Sequence, residues 1–194
     1  MKSILLKYMS QLTTLSAEEQ QAIVDEIQVE SFKKGTILLR QGEVPVSCYF
    51  ILKGCVRQYS VDEAGREATS NFYTEEQAIA LFNQHKLDQS SEYTFACLED
   101  CVLIVGRLDE EAAMYRKYSP LESMTRRMVE QSFGQVQEQF AAFIAASPEE
   151  RFRGLLRSRP ELIRRVPQHQ LASYLGMTPE SLSRIKKRVL PQTD

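Results

Sequence analysis

The stretch QHQLASYLGMTPESLSRIKKR, residues 168–188, is patterned too strictly for a surface loop. Leu171, Ala172 and Leu175 fall on one face of a helix, and Gly176 follows where a tight turn needs a residue tolerant of positive φ. Thr178 can cap a second helix, with Pro179 at its first position and Ser181 at its third. Leu182, Ile185 and Val189 give that second helix an apolar stripe, and Ala172 is small enough for two helices to cross closely. The spacing predicts a helix-turn-helix, two short helices with the second offered to a groove.

The polar side of the second helix carries Glu180, Arg184 and Lys187, flanked by Ser181 and Arg188. A carboxylate can accept from cytosine N4, and a guanidinium can fork onto guanine O6 and N7. Lys186, Lys187 and Arg188 near the helix end suit phosphates; Gln168 and Thr178 at the two helix starts are further DNA-contact candidates, with His169, for which a phosphate contact and plain solvation are the two readings. The same stretch also fits a two-helix corner of an ordinary helical domain with a solvated basic face.

Charge is distributed to match. Residues 147–194 hold ten Lys+Arg against five Asp+Glu, a net +5, which leaves −7 for residues 1–146 out of the overall −2. A polyanion is attracted to the last part and repelled by the first. The rest of the composition, 43% hydrophobic and 26% charged in 194 residues, is that of a globular chain of one or two domains. No apolar run is long enough to span a membrane, and MKSILLKYMSQL at the start is not expected to act as a secretory signal. Cys48, Cys55, Cys97 and Cys101 show no C-x-x-C pairing, so free thiols in a cytoplasmic protein are expected. Cys97 and Cys101 are expected on one face of a strand.

Working back along the chain, residues 147–194 open as a capped helix, with Ser147 as cap and Pro148 at the first position. Pro160 and Pro167 then bracket a short linker. Residues 113–146 form a long helical segment after a start near Leu108, with Pro120 in a first turn. Val129, Phe133, Val136, Phe140 and Phe143 recur at four and three residues, a seam suited to a second helix in a dimer. Leu121, Met124 and Met128 repeat the spacing out of phase, and packing of the helix on its own domain fits the pattern as well. Residues 1–112 begin with a helix at LSAEEQQAIVDEI, where Ser16 and Glu19 make a capping box. From Phe32 to about Val105 come β-branched and aromatic runs cut by Gly35, Gly42, Gly54 and Gly65, with VDEAGRE as a hairpin loop. They predict a small antiparallel roll or barrel.

These motifs in this order resemble the cyclic-AMP receptor/fumarate-nitrate regulator (Crp/Fnr) family over essentially the whole chain. FKKGTILLRQGE is similar to that family's opening roll motif, YFILKGCVRQY to its next strand pair, and residues 168–188 to its DNA-reading element. The resemblance implies an α+β protein. Its parts are a cyclic-nucleotide-binding-like β-roll (double-stranded β-helix) at 1–112, a dimerisation helix at 113–146 and a winged-helix-type domain at 147–194. It implies a homodimer on a roughly two-fold symmetric site in double-stranded DNA, with RNA polymerase and a small-molecule effector as further partners.

The match breaks at YTEEQAIALFNQHKLDQSSEYTFACLED. Nucleotide-binding relatives have an Arg that grips the cyclic phosphate; here Ser90 stands there, followed by Ser91 and Glu92, and a Gly-Glu pair is missing. Without a guanidinium an anionic phosphate lacks its bidentate partner, so cyclic AMP is not expected to bind in the usual way. Arg57, Arg66, Glu75, Ser90 and Ser91 are the candidate ligand residues, with solvated strand ends as the alternative for the two arginines. His85 is placed in the sensor region, at its pocket or on a surface loop. Two histidines far apart, His85 and His169, give no metal site or catalytic pair, and no cofactor or enzymatic activity is expected. The rival reading is a ligand-binding roll whose basic C-terminal part meets a protein. An enzyme on a similar barrel lacks the His cluster it needs.

Overall fold

The computed structural model describes residues 3–79 and 88–190. Two short helices come first, α1 (Ser3–Leu12) and α2 (Ala17–Glu26). The second starts with the expected box: Glu19 N–H donates to Ser16 Oγ at 3.2 Å, and Ser16 N–H donates to the Glu19 carboxylate at 2.8 Å. Among the described residues eight strands follow: β1 (Gln28–Phe32), β2 (Ile37–Leu39), β3 (Ser47–Lys53), β4 (Val56–Val61), β5 (Glu67–Tyr73), β6 (Ala78–Ile79), β7 (Thr94–Cys97) and β8 (Cys101–Arg107). They pair antiparallel into two four-stranded sheets, β1-β8-β3-β6 and β2-β7-β4-β5.

Strand alternation decides what each sheet buries. Ile51, Leu103, Val56, Phe95, Cys97 and Ile79 point between the sheets and make the roll's core. Their neighbours Phe50, Leu52 and Ile104 point outward from the first sheet, where Leu5, Tyr8, Ile27 and Met128 cover them. On the outer side of the second sheet, Cys55 and Phe72 are fully buried against the C-terminal helices. Both outer faces are therefore occupied, and the roll is the middle layer of the chain. At the β3–β4 turn, Gly54 has φ +111°, and a Cβ there would lie 2.5 Å from Cys101 Sγ and 2.8 Å from Cys101 Cα. Only glycine meets both demands.

Cys97 and Cys101 do not share a strand. They end β7 and begin β8, in different sheets, because Asp100 turns the chain between them by accepting from Lys34 N–H at 2.9 Å and from Lys33 Nζ at 2.9 Å. Both are buried free thiols, as is Cys55; Cys48 is half-buried.

The helical segment after the roll is broken once, at Tyr118, into α3 (Leu108–Lys117) and α4 (Ser119–Ala145). Pro120 has no N–H to continue the ladder and instead opens the new helix. The first third of α4 lies on the molecule itself: Leu121 is buried with Met9, Leu15, Ile23 and Val24, and Met124 packs beside it. Packing on its own domain is thus what the out-of-phase set Leu121, Met124 and Met128 does. The middle of α4 leaves the body, and its end returns to the C-terminal helices at Phe143.

The last four helices among the described residues are α5 (Pro148–Ser158), α6 (Leu162–Arg165), α7 (Gln168–Tyr174) and α8 (Pro179–Val189). Ser147 caps α5 in a second capping box with Glu150. No strand occurs between 147 and 190, so the wing expected of a winged-helix-type domain is absent from the described residues. The stretch between Pro160 and Pro167, expected as a linker, holds the helical turn α6. Leu162 and Val166, four apart, both bury in the core there.

Candidate nucleic-acid interface

The core of the C-terminal domain explains how α8 is presented. Leu171, Ala172 and Leu175 from α7 and its end, and Leu182 and Ile185 from α8, are buried with Phe152, Leu155, Leu162 and Val166. Ala172 is 0% exposed, so the two helices cross with no side chain larger than a methyl at that point. Between them Gly176 takes φ +66°, and Thr178 Oγ1 accepts from Ser181 N–H at 3.2 Å to cap α8. Gln168 Nε2 donates to Pro179 O at 3.3 Å, tying the start of α7 to the start of α8.

With its apolar stripe buried, α8 turns Glu180, Arg184, Lys187 and Arg188 outward. Thr178, Gln168 and His169 are exposed as well, while Ser181 and Lys186 are half-buried. The Glu180 carboxyl is held below its usual range by its own backbone N–H at the helix start, then by the Thr178 hydroxyl. It is an anion and acceptor there. Arg188 is occupied: its guanidinium donates to Glu149 at 3.0 Å, which also holds Arg153. The arrangement is a convex ridge with one anionic acceptor and several cations, all on one side of one helix.

The seam residues separate into two groups. Phe133 (62% exposed), Val136 and Phe140 (64% exposed) stand out from α4 with no cover, joined by Ile144 in place of the expected Phe143. Val129 is half-buried nearer the roll. Phe143 faces the other way. Its ring carries the Arg151 guanidinium at 3.9 Å from the centroid, and Arg151 donates to Phe143 O at 3.1 Å and to Leu175 O at 3.3 Å. A Cβ on Gly176 would lie 3.2 Å from this ring. Phe143 therefore joins the end of α4 to the turn before α8.

The candidate ligand residues are not brought together. Arg57 is only 4% exposed and lies on the outer side of the second sheet, opposite Phe72 in the ladder. It donates to Thr69 Oγ1 at 2.9 Å and to Glu67 at 2.6 Å and stacks on Tyr59. Arg66 sits in the β4–β5 hairpin and pairs with Asp62 at 2.8 Å. Ser91 is buried, its hydroxyl donating to Tyr93 O, while Ser90 donates through N–H and Oγ to Asp88. Residues 80–87, with His85, lie outside the described residues.

Glu75 has a different partner altogether. Arg165 of α6 forks onto its carboxylate at 2.7 and 2.9 Å and also donates to Glu99, and Gly54 N–H adds a bond at 2.9 Å. Burial pushes the Glu75 carboxyl up, but the guanidinium and the N–H bonds outweigh it and bring it down to about 2. Around this clamp, Arg159 donates to Thr74, Ser173 Oγ accepts from Thr69 N–H at 2.9 Å, and Tyr174 packs edge-on to Phe72 at 5.3 Å. None of these junction residues carries a local sequence signal, because each is an ordinary polar or aromatic residue whose partner is 66 to 104 positions away.

Residues 29–118 match the family described as cyclic nucleotide-binding domain. No curated protein sequence matches the chain. Among solved structures, FixK2 from Bradyrhizobium japonicum is 18% identical, with 84% of this chain and 83% of that one covered at a TM-score of 0.63. A CooA variant from Carboxydothermus hydrogenoformans is 13% identical, with 95% and 83% covered and a TM-score of 0.67. A putative transcriptional regulator of the Crp/Fnr family from Eubacterium rectale is 17% identical, with 94% and 87% covered and a TM-score of 0.66. Residues 29–118 thus match the cyclic nucleotide-binding domain family, and between 84% and 95% of the chain shares its fold with these three solved structures.

Proposed function

We propose that the protein is a transcription regulator of the Crp/Fnr type that binds double-stranded DNA as a homodimer. The observation that carries this is α8: a helix whose apolar stripe is buried and whose other face offers Glu180, Arg184, Lys187 and Arg188 outward. Arg184 and Glu180 are the base-edge readers, and Lys187, Lys186, Gln168, His169 and Thr178 the phosphate contacts, joined by Arg188 when a phosphate displaces its Glu149 partner. The uncovered stripe Phe133, Val136, Phe140 and Ile144 on α4 is the dimer seam, burying against its copy what this chain leaves in water. Two-fold symmetry of the dimer then requires two half-sites about one helical turn apart.

The effector is not a cyclic nucleotide gripped in the family's usual way. Ser90, at the position of the phosphate-binding Arg, donates through its N–H and Oγ to the Asp88 carboxylate, and Arg57 is committed to Glu67 and Thr69. Selection of bound duplex from a random pool, followed by mobility shifts at two salt concentrations, tests the central reading. Phosphate contacts make affinity fall steeply as salt rises. A protein that retains no duplex from the pool is not a DNA-binding regulator.

A further inference from the structure

A dimer that reads two half-sites uses both reading helices at once, and each is attached to its own sensor roll. The attachment has a neutral part, Phe72 against Tyr174 and Thr69 N–H on Ser173, and a charged part centred on Arg165. The charged part is pre-built on the sensor side. Glu75 is presented by a tight turn, Thr74–Gln77, in which Glu76 takes φ +63°, an uncommon conformation for a residue with a Cβ. Thr74 N–H donates to the Gln77 side chain at 2.8 Å and Glu76 N–H to Ile51 O at 2.9 Å, so the turn is braced from both sides. The Glu76 carboxylate meanwhile accepts from Tyr8 at 2.9 Å, anchoring the turn to α1. Gly54 N–H fixes the Glu75 carboxylate itself. Arg165 thus meets at Glu75 an acceptor already in place, and its planar fork defines an angle as well as a distance.

We infer that Arg165 is a positioning residue for DNA binding, clamped to Glu75 and Glu99 so that α8 is held at a fixed attitude to the sensor. The clamp and the reading face do not compete. Glu180, Arg184 and Lys187 remain exposed while Arg165 is engaged. Its effect falls on the second half-site: once one helix is bound, the other is delivered at high effective concentration only if it cannot swing away. This inference rests on the DNA-binding reading above.

The test uses the full chain and duplexes carrying one or two copies of the selected half-site. In the double variant Glu75→Gln, Glu99→Gln, which leaves Arg165 and the apolar contacts intact, two-site affinity falls at least about tenfold while one-site affinity stays within about twofold. Arg165→Ala behaves the same way, and Arg165→Lys, which keeps the charge without the fork, falls between. Equal losses on both duplexes overturn the inference, since they mean direct DNA contact or a damaged domain. No change on either duplex, or a gain on the two-site duplex, overturns it as well. A parent protein that binds neither duplex sinks the functional reading instead, and this is seen before any variant is made.

Discussion

At the scale of single residues, position on α8 separates two roles that charge alone does not. Arg184 lies one turn after Glu180, on the exposed side of the helix. Arg184→Ala is expected to lower affinity for the selected site by about 1–3 kcal/mol and to relax preference at one base pair per half-site. Lys187→Ala, nearer the helix end, is expected to weaken all duplexes alike and to shallow the salt dependence by about one unit of slope. Competition binding with single-base variants of the site distinguishes the two. Unchanged binding in both variants would place the reading surface elsewhere. Charge also misleads in the other direction: Arg57 reads as a candidate anion binder, yet burial and bonds to Glu67 and Thr69 leave it a structural cation.

At the scale of elements, α4 does two things along its length. Its first turns bury Leu121 and pack Met124 and Met128 on the molecule; its later turns expose Phe133, Val136, Phe140 and Ile144. Exposed phenylalanines at this spacing cost solubility unless a second apolar surface covers them. Replacing Phe133 and Phe140 with Ser is therefore expected to give a monomer with weakened binding to the two-site duplex and an intact roll. Sedimentation that still finds a dimer in this variant assigns the association to another surface. The uncharged sensor candidate gives a second expectation at this scale. With Ser90 bonded to Asp88, cyclic AMP and cyclic GMP should show no heat of binding at tens of micromolar, and DNA binding should require neither. Micromolar binding with a matching rise in DNA affinity reverses that assignment.

For the whole molecule, the outer face of the second sheet and the C-terminal domain share one hydrophobic core, reaching from Cys55 and Phe72 to Leu182 and Ile185. The Arg165 clamp closes the rim of that junction, and it has a pH signature. Glu75 is depressed from 4.5 to about 2 on folding, so its contribution is fully present above 4.5 and is lost as the pH falls toward 2. Acid unfolding followed by circular dichroism should show the wild-type protein losing stability between these values. Glu75→Gln, which has no proton to take up at that position, should lose less over the same interval. Parallel profiles would mean that the carboxylate is no better stabilised folded than unfolded.

Much of this protein is determined by local sequence. The capping boxes at Ser16 and Ser147, the turn at Gly176, the cap at Thr178 and the alternation through β3 and β8 are all local in cause, and the structure follows them. Residues within four positions of one another carry the whole signal in each case. The exposed face of α8 is legible for the same reason, since burying Leu182 and Ile185 fixes which residues must face out. Tertiary structure alone decided the rest. The four-residue spacing of Cys97 and Cys101 looks like one strand face and is a turn between two sheets, because Asp100 finds Lys33 and Lys34 across the roll. Phe143 fits the heptad and leaves it because Arg151 and the Gly176 turn offer its ring a closer partner. Glu75, Glu99 and Arg165 meet only when the C-terminal domain docks on the roll. No periodicity in the chain encodes a contact between residues 66 and 90 positions apart, so that junction exists only in the folded molecule.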